Sequence, residues 1–215
     1  MAAKPPPGRR GRPAAQDARA LEATRRAAAD CRACPLWKPA TQTVFGEGPA
    51  HARIMLVGEQ PGDQEDLAGR PFVGPAGKLL DRALAAAGID RNLVYVTNAV
   101  KHFKFELRGK RRLHKKPADA EIAVCLQWLQ RELELVTPQL VIALGATAAR
   151  ALLGRATPIE KNRGRPAAFA PYGRILITVH PSYLLRVPPH DRAREYARFV
   201  ADLRIAARLI KGRAG

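Results

Sequence analysis

Four short apolar runs constrain this chain more than any other feature: residues 53–57 (RIMLV), 94–98 (VYVTN), 140–144 (LVIAL) and 174–179 (RILITV). Each is the length of one buried strand and too short for a buried helix. Helical patterns fill the spaces between them. One covers 77–87 and is stopped by Gly88, one covers 118–136 and ends before Pro138, and one covers 146–153 and is stopped by Gly154. Further helices are expected over 19–30 and 192–209. Strands alternating with helices predict an α/β fold, with a mostly parallel sheet covered on both faces.

The charge balance narrows the choice of partner. Thirty-seven Lys and Arg against 19 Asp and Glu give a formal net charge of +18 over 215 residues. An excess of that size favours a polyanion and disfavours cationic partners. Residues 1–18 are rich in Pro, Gly, Ala and Arg, without an apolar period, and read as a disordered basic arm before one domain over 19–215. The N-terminal stretch lacks the apolar core of a secretory signal, and no run approaches the roughly 18 apolar residues of a membrane span. A cytoplasmic monomer, drawn to a polyanion and without a membrane partner, is the expectation. The three cysteines are an odd count and too few for a disulfide scaffold, which suggests reduced thiols available to a metal.

Each apolar run is followed by polar residues. The first runs into Gly58-Glu59-Gln60-Pro61-Gly62-Asp63, and the second ends at Asn98 and continues to Lys101-His102. The third runs into Gly145-Ala146-Thr147, and the fourth into His180-Pro181-Ser182. Ligands of open parallel sheets bind at the carboxyl ends of the strands, so four separate stretches are expected to share one crevice. Glycines at 58 and 62 would let a ligand approach the backbone. The pattern is neither GxGxxG nor a P-loop, which argues against a nucleoside triphosphate. Asn98 can offer a pyrimidine edge one donor and one acceptor, or simply cap a turn. Phe72 can stack on a base or fill the core. His180 can donate to a ligand oxygen or cap the helix that follows it.

Cys31-x-x-Cys34 supplies two thiols from one turn, Cys125 lies within a predicted helix, and His102 follows the second strand. Three thiols and an imidazole suit zinc or an iron–sulfur cluster. The stretch 101–116 (KHFKFELRGKRRLHKK) has eight Lys and Arg against Glu106 alone. Such a run can be a solvated face. Here it joins two crevice elements, carries Phe103 and Phe105 among its cations, and holds His114, a pattern that suits a nucleic-acid backbone with stackable bases.

Taken together, CRAC, GEQPGDQEDLAGRPFVGPAGKLLDRAL, YVTNAVKHFKF, KRRLHK, the Cys125 helix, LGATAARALLG and TVHPSYLLR resemble the uracil-DNA glycosylase superfamily over about residues 28–210. The likeness is to its iron–sulfur branch, meaning the family-4 enzymes and their covalent-trapping relatives known as UdgX. The resemblance implies a three-layer α/β/α fold around a four-stranded parallel sheet. It implies a [4Fe–4S] cluster on Cys31, Cys34, Cys125 and a fourth ligand, which is His102 here where ordinary family-4 enzymes carry Cys. It also implies that Gly58, Gln60, Asp63, Phe72 and Asn98 surround uracil, with Phe72 stacked on it and Asn98 reading its edge. Glu59 would orient His114, and His180 would stabilise the departing base. Lys110, Arg111, Arg112, Lys115 and Ser182 would meet DNA, with Arg112 either anchoring its loop or touching phosphate.

The implied reaction is removal of uracil from DNA, preferably single-stranded. Free uracil is the product, and the abasic sugar becomes bonded to His114. Two alternatives stand beside it. One is a conventional glycosylase that admits water, with His114 a phosphate contact. The other is a non-catalytic iron–sulfur module that binds nucleic acid.

Overall fold

The computed structural model describes residues 14–211. Helix α1 (Ala14–Ala29) is followed by β1 (Ile54–Gly58), α2 (Asp63–Ala68), α3 (Pro75–Ala86) and β2 (Val94–Asn98). Next come β3 (Phe105–Arg108), β4 (Arg111–His114), α4 (Asp119–Val136), β5 (Leu140–Leu144) and α5 (Ala146–Leu153). The chain continues through α6 (Ile159–Asn162), β6 (Ala167–Ala168), β7 (Arg174–Thr178), α7 (Pro181–Arg186) and α8 (Pro189–Lys211).

The main sheet has the order β2-β1-β5-β7-β6. Its first four strands are parallel, as expected, and β6 adds a two-residue antiparallel edge against β7. The order reverses between β1 and β5, and such a switch point opens a crevice at the carboxyl ends of the strands.

The strands read as unbroken apolar runs because both faces are covered. Met55 and Val57 join a core with Leu129 and Leu133 of α4. Ile54 and Leu56 join a second core with Leu80 and Leu84 of α3 and Phe199 and Leu203 of α8. This alternation makes the three layers. Helix α4 buries Ile122, Cys125, Leu129, Leu133 and Val136, one stripe at helical spacing.

Two expectations need correction. Residues 14–18, expected in the arm, belong to α1, and Asp17 is buried there. The rest of that expected arm, 1–13, lies outside the described residues. The basic stretch is also no open loop. β3 and β4 pair antiparallel with Phe105 opposite His114 and Leu107 opposite Arg112. Gly109 makes the two-residue turn possible with a φ of 61°, a conformation open to glycine at little cost. Among the described residues no helix is long and apolar enough to cross a membrane.

Candidate active site

β1 and β2 run in register, so Gly58 lies opposite Asn98. A Cβ on Gly58 would collide with Asn98 Oδ1 and come within 2.8 Å of Phe72 Cζ. The amide and the ring therefore meet over a bare backbone, which explains glycine at this position.

Phe72 reaches that place through an unusual turn. Its φ is 58°, a strained value for a bulky residue. Two neighbours accommodate it. A Cβ on Gly77 would collide with the Phe72 carbonyl, so α3 can pack there only through glycine. The Glu65 carboxylate accepts from Gly62 N at 3.1 Å and Gly74 N at 2.7 Å, tying both ends of the segment together.

His180 closes another side, its ring 6.1 Å from that of Phe72 and inclined by 30°. Its Nδ1 accepts from Ser182 N at 3.1 Å and lies 2.8 Å from the Ser182 hydroxyl. A backbone donor on Nδ1 leaves the ring hydrogen on Nε2. Burial pushes His180 down to about 4, so the ring is neutral near pH 7 and Nε2–H is a neutral donor. The Ser182 side chain is thus engaged with His180.

Glu59, at the end of β1, joins two other elements. One carboxylate oxygen lies 3.2 Å from His114 Nε2 on β4. The other accepts the Thr147 hydroxyl from the start of α5. Burial works to raise this carboxyl, but the hydrogen bonds from His114 and Thr147 outweigh it, and Glu59 sits below the ordinary carboxylate range.

The hairpin bearing His114 is fixed at its base and along one side. Gln60 Nε2 donates to the carbonyls of Lys104 at 3.1 Å and Lys115 at 3.0 Å, and its Oε1 accepts from Lys104 N at 3.0 Å. Its amide is therefore engaged with the hairpin and does not face a ligand. Arg112 Nε lies 2.5 Å from Asp63 and Nη1 2.6 Å from Asp66, both in α2. Its guanidinium also lies over the rings of Phe103 and Phe105. Arg112 is an anchor, the Asp63 carboxylate is its counter-ion, and Phe103 is buried rather than offered to a base. Lys110 and Arg111 remain exposed on the hairpin, and exposed Lys115 pairs with Glu106 at 3.0 Å.

The cysteines lie on the α1–α4 side. Among the described residues no three His, Cys, Asp or Glu side chains converge at the spacing of a single metal ion. The thiols nevertheless share a neighbourhood. Cys31 and Cys34 each raise the charge cost at Cys125, and burial is the leading cause of its rise to about 11. Burial likewise pushes Cys34 up. Each sulfur has its own N–H donor: Trp128 Nε1 on Cys31 at 3.2 Å, Lys101 N on Cys125 at 3.2 Å, and the Leu36 backbone on Cys34. N–H donors to sulfur are a feature of iron–sulfur sites. His102 Nε2 lies 2.9 Å from Thr43 Oγ1, whose hydroxyl bonds to the Ala29 carbonyl at 3.3 Å. The hydroxyl has one hydrogen, so that arrangement puts the ring hydrogen on Nε2 and leaves Nδ1 as the basic nitrogen.

Sequence reasoning placed Thr147 at the crevice without giving it a role, and passed over Glu65 and Gly77. Thr147 alone had a legible signal, as the polar side chain at the end of the third strand.

Residues 45–204 match the family described as the uracil DNA glycosylase superfamily. The chain is 40% identical over 173 residues to the type-4 uracil-DNA glycosylase of Thermotoga maritima, covering 80% of this chain and 84% of that one. It is 37% identical over 167 residues to the type-4 uracil-DNA glycosylase of Saccharolobus solfataricus, covering 74% of each. It is also 32% identical over 155 residues to the type-5 uracil-DNA glycosylase of Pyrobaculum aerophilum, covering 64% of each. With the parallel sheet, its switch-point crevice and a family match across most of its length, this chain belongs to the uracil DNA glycosylase superfamily.

Proposed function

We propose that this protein removes uracil from DNA and becomes bonded to the resulting sugar through His114. The observation that carries the proposal is the 3.2 Å contact between His114 and Glu59, at the rim of the Asn98–Phe72–His180 pocket.

Uracil fits between the Phe72 ring and the Asn98 amide, whose donor and acceptor complement O4 and N3–H. Gly58 leaves room for both. As the C1′–N1 bond breaks, its electron pair leaves on the base, and the neutral Nε2–H of His180 donates to the uracil oxygen that gains charge. The sugar becomes oxocarbenium-like. His114 Nε2 then bonds to C1′ while its proton passes to Glu59 and on to solvent. The uracil anion takes one proton from solvent and leaves as free uracil. The products are one uracil and one protein–sugar bond, with no water added at C1′.

Single-stranded DNA is the preferred substrate because no base pair has to open, a step that costs a few kcal/mol in a duplex. Lys110 and Arg111, with Lys115, line the hairpin toward the backbone, while Gln60, Arg112 and Asp63 hold it in place. Cys31, Cys34, Cys125 and His102 would hold a [4Fe–4S] cluster. The cluster would order the DNA-binding surface and supply no redox step. The protein acts as a cytoplasmic monomer.

The test is a uracil-containing single strand run on a denaturing gel after incubation, with a thymine strand as control. One SDS-stable protein–DNA band per uracil released supports the proposal. Repeated turnover without such a band leaves the conventional glycosylase. Salt-sensitive binding that ignores uracil leaves the binding module.

A further inference from the structure

We infer that Thr147 is a positioning residue that holds the Glu59 carboxylate for the reaction at His114, an inference that rests on the function proposed above. Glu59 directly follows Gly58, the last residue of β1, and Thr147 is the second residue of α5, three positions after β5 ends at Leu144. Those are the two strands between which the sheet order reverses, so their hydrogen bond spans the floor of the crevice.

The contact has a direction. The Thr147 hydroxyl carries one hydrogen and gives it to one Glu59 oxygen, while the other oxygen faces His114 Nε2 at 3.2 Å. Partners on opposite oxygens fix the carboxylate plane. Without the first, a long Glu side chain is free to swing away from the imidazole. Thr147 is suited to this role because its branched Cβ restricts χ1 and the residue is buried. It is the only polar residue in the turn Ala146-Thr147-Ala148-Ala149, where Ala148 and Ala149 are fully buried. Packing alone would be met there by an apolar residue.

The contact also favours one charge state, because a carboxylate is a stronger acceptor for a donated O–H than a protonated carboxyl. Burial works to protonate Glu59, and the hydrogen bonds from His114 and Thr147 oppose it, with smaller electrostatic help from His114 and His180. Those three residues are the groups that act on this carboxyl. Removing the hydroxyl leaves His114 and His180 in place and releases part of the opposition to burial.

Two variants separate the hydroxyl from the packing. Thr147→Val keeps the shape and deletes the O–H, and Thr147→Ser keeps the O–H and deletes the methyl. Formation of the SDS-stable adduct on a single strand, with uracil release beside it, is measured under single-turnover conditions from pH 4 to 8. The Glu59 carboxyl carbon is titrated by 13C NMR, assigned through its loss in Glu59→Gln. Thr147→Val should be about tenfold slower at pH 7, the usual size for a hydrogen bond to a charged group. Its acid limb and the Glu59 midpoint should both move to higher pH, and Thr147→Ser should match the parent in rate and midpoint. The inference is overturned if Thr147→Val keeps the parental profile or midpoint, or if Thr147→Ser is as impaired as Thr147→Val. A parent that releases no uracil would instead overturn the proposed function. The carbon titration needs no activity and would still decide whether Thr147 holds Glu59.

Discussion

Lys101 and Glu132 meet at 2.5 Å with both side chains at 0% exposure, whereas His114 and Glu59 meet at 3.2 Å with side chains 50% and 22% exposed. The buried pair is saturated. Lys101 Nζ donates to Glu132, to the Thr97 hydroxyl at 2.6 Å and to the Asn98 carbonyl at 2.8 Å, using all three of its hydrogens. Glu132 in turn accepts from Gly46 N at 2.9 Å and the Tyr95 hydroxyl at 3.1 Å. The pair bonds the end of β2 to α4, the helix that carries Cys125. The His114–Glu59 pair has solvent on one side and a hairpin that reaches the sheet through side chains. A saturated pair has no capacity left for a substrate, and an unsaturated one does. Asn98 lies between the two regions, with its carbonyl held by Lys101 and its amide over Gly58.

The largest effect should come from breaking the saturated pair. Lys101→Met leaves a buried carboxylate without its cation and should cost about 3–5 kcal/mol in urea unfolding. The double variant Lys101→Met/Glu132→Leu should recover most of that loss. If the single variant unfolds within about 1 kcal/mol of the parent, the two regions do not differ in the way described.

The exposed pair should behave in the opposite sense. His114→Ser should reduce the SDS-stable adduct at least a hundredfold, because serine without a strong base is a poor nucleophile. It should still release uracil, and its stability should lie within about 1 kcal/mol of the parent. An adduct at the parental level would place the nucleophile elsewhere.

Asn98→Ala probes the meeting point and should act on the reaction more than on the fold. Losing a buried polar partner for the base should slow release by about 1–3 kcal/mol, or roughly fivefold to 150-fold. An unchanged rate would reduce Asn98 to a strand terminus.

The smallest effect should be on the hairpin surface. Each phosphate contact contributes about −0.7 to the slope of log K against log salt on single strands. Arg111→Ala should flatten the slope by about that amount. Lys115→Ala should flatten it less, because its ammonium already has Glu106 at 3.0 Å. Equal effects would show that the Glu106 pair gives way when DNA binds.

Much of this architecture was legible before any coordinates. Continuous apolar runs announce strands covered on both faces, and glycines at 88 and 154 mark where helices stop. The hairpin was less legible, because its strands have only four positions each, RRLH holds a single apolar residue, and the density of cations suggested a solvated loop. Gln60 was expected to surround uracil, and Arg112 either to anchor its loop or to touch phosphate. Both serve the hairpin, because their partners are Lys104 and Lys115 for one and Asp63 and Asp66 for the other. Those partners lie tens of residues away in sequence, so no local pattern reveals them.

The sequence by itself determined the layers, the parallel strands and the membership of Glu59, Asn98 and His180 in one crevice, because periodicity and strand ends are local properties. Only the tertiary structure decided which polar groups are satisfied and which remain open. It showed Lys101 buried against Glu132, Ser182 bonded to His180, and Glu59 shared between Thr147 and His114. The physical reason is that a hydrogen bond is set by distance and direction between atoms from different elements. Composition lists the donors and acceptors, and only the packing of β1, α5 and the hairpin pairs them.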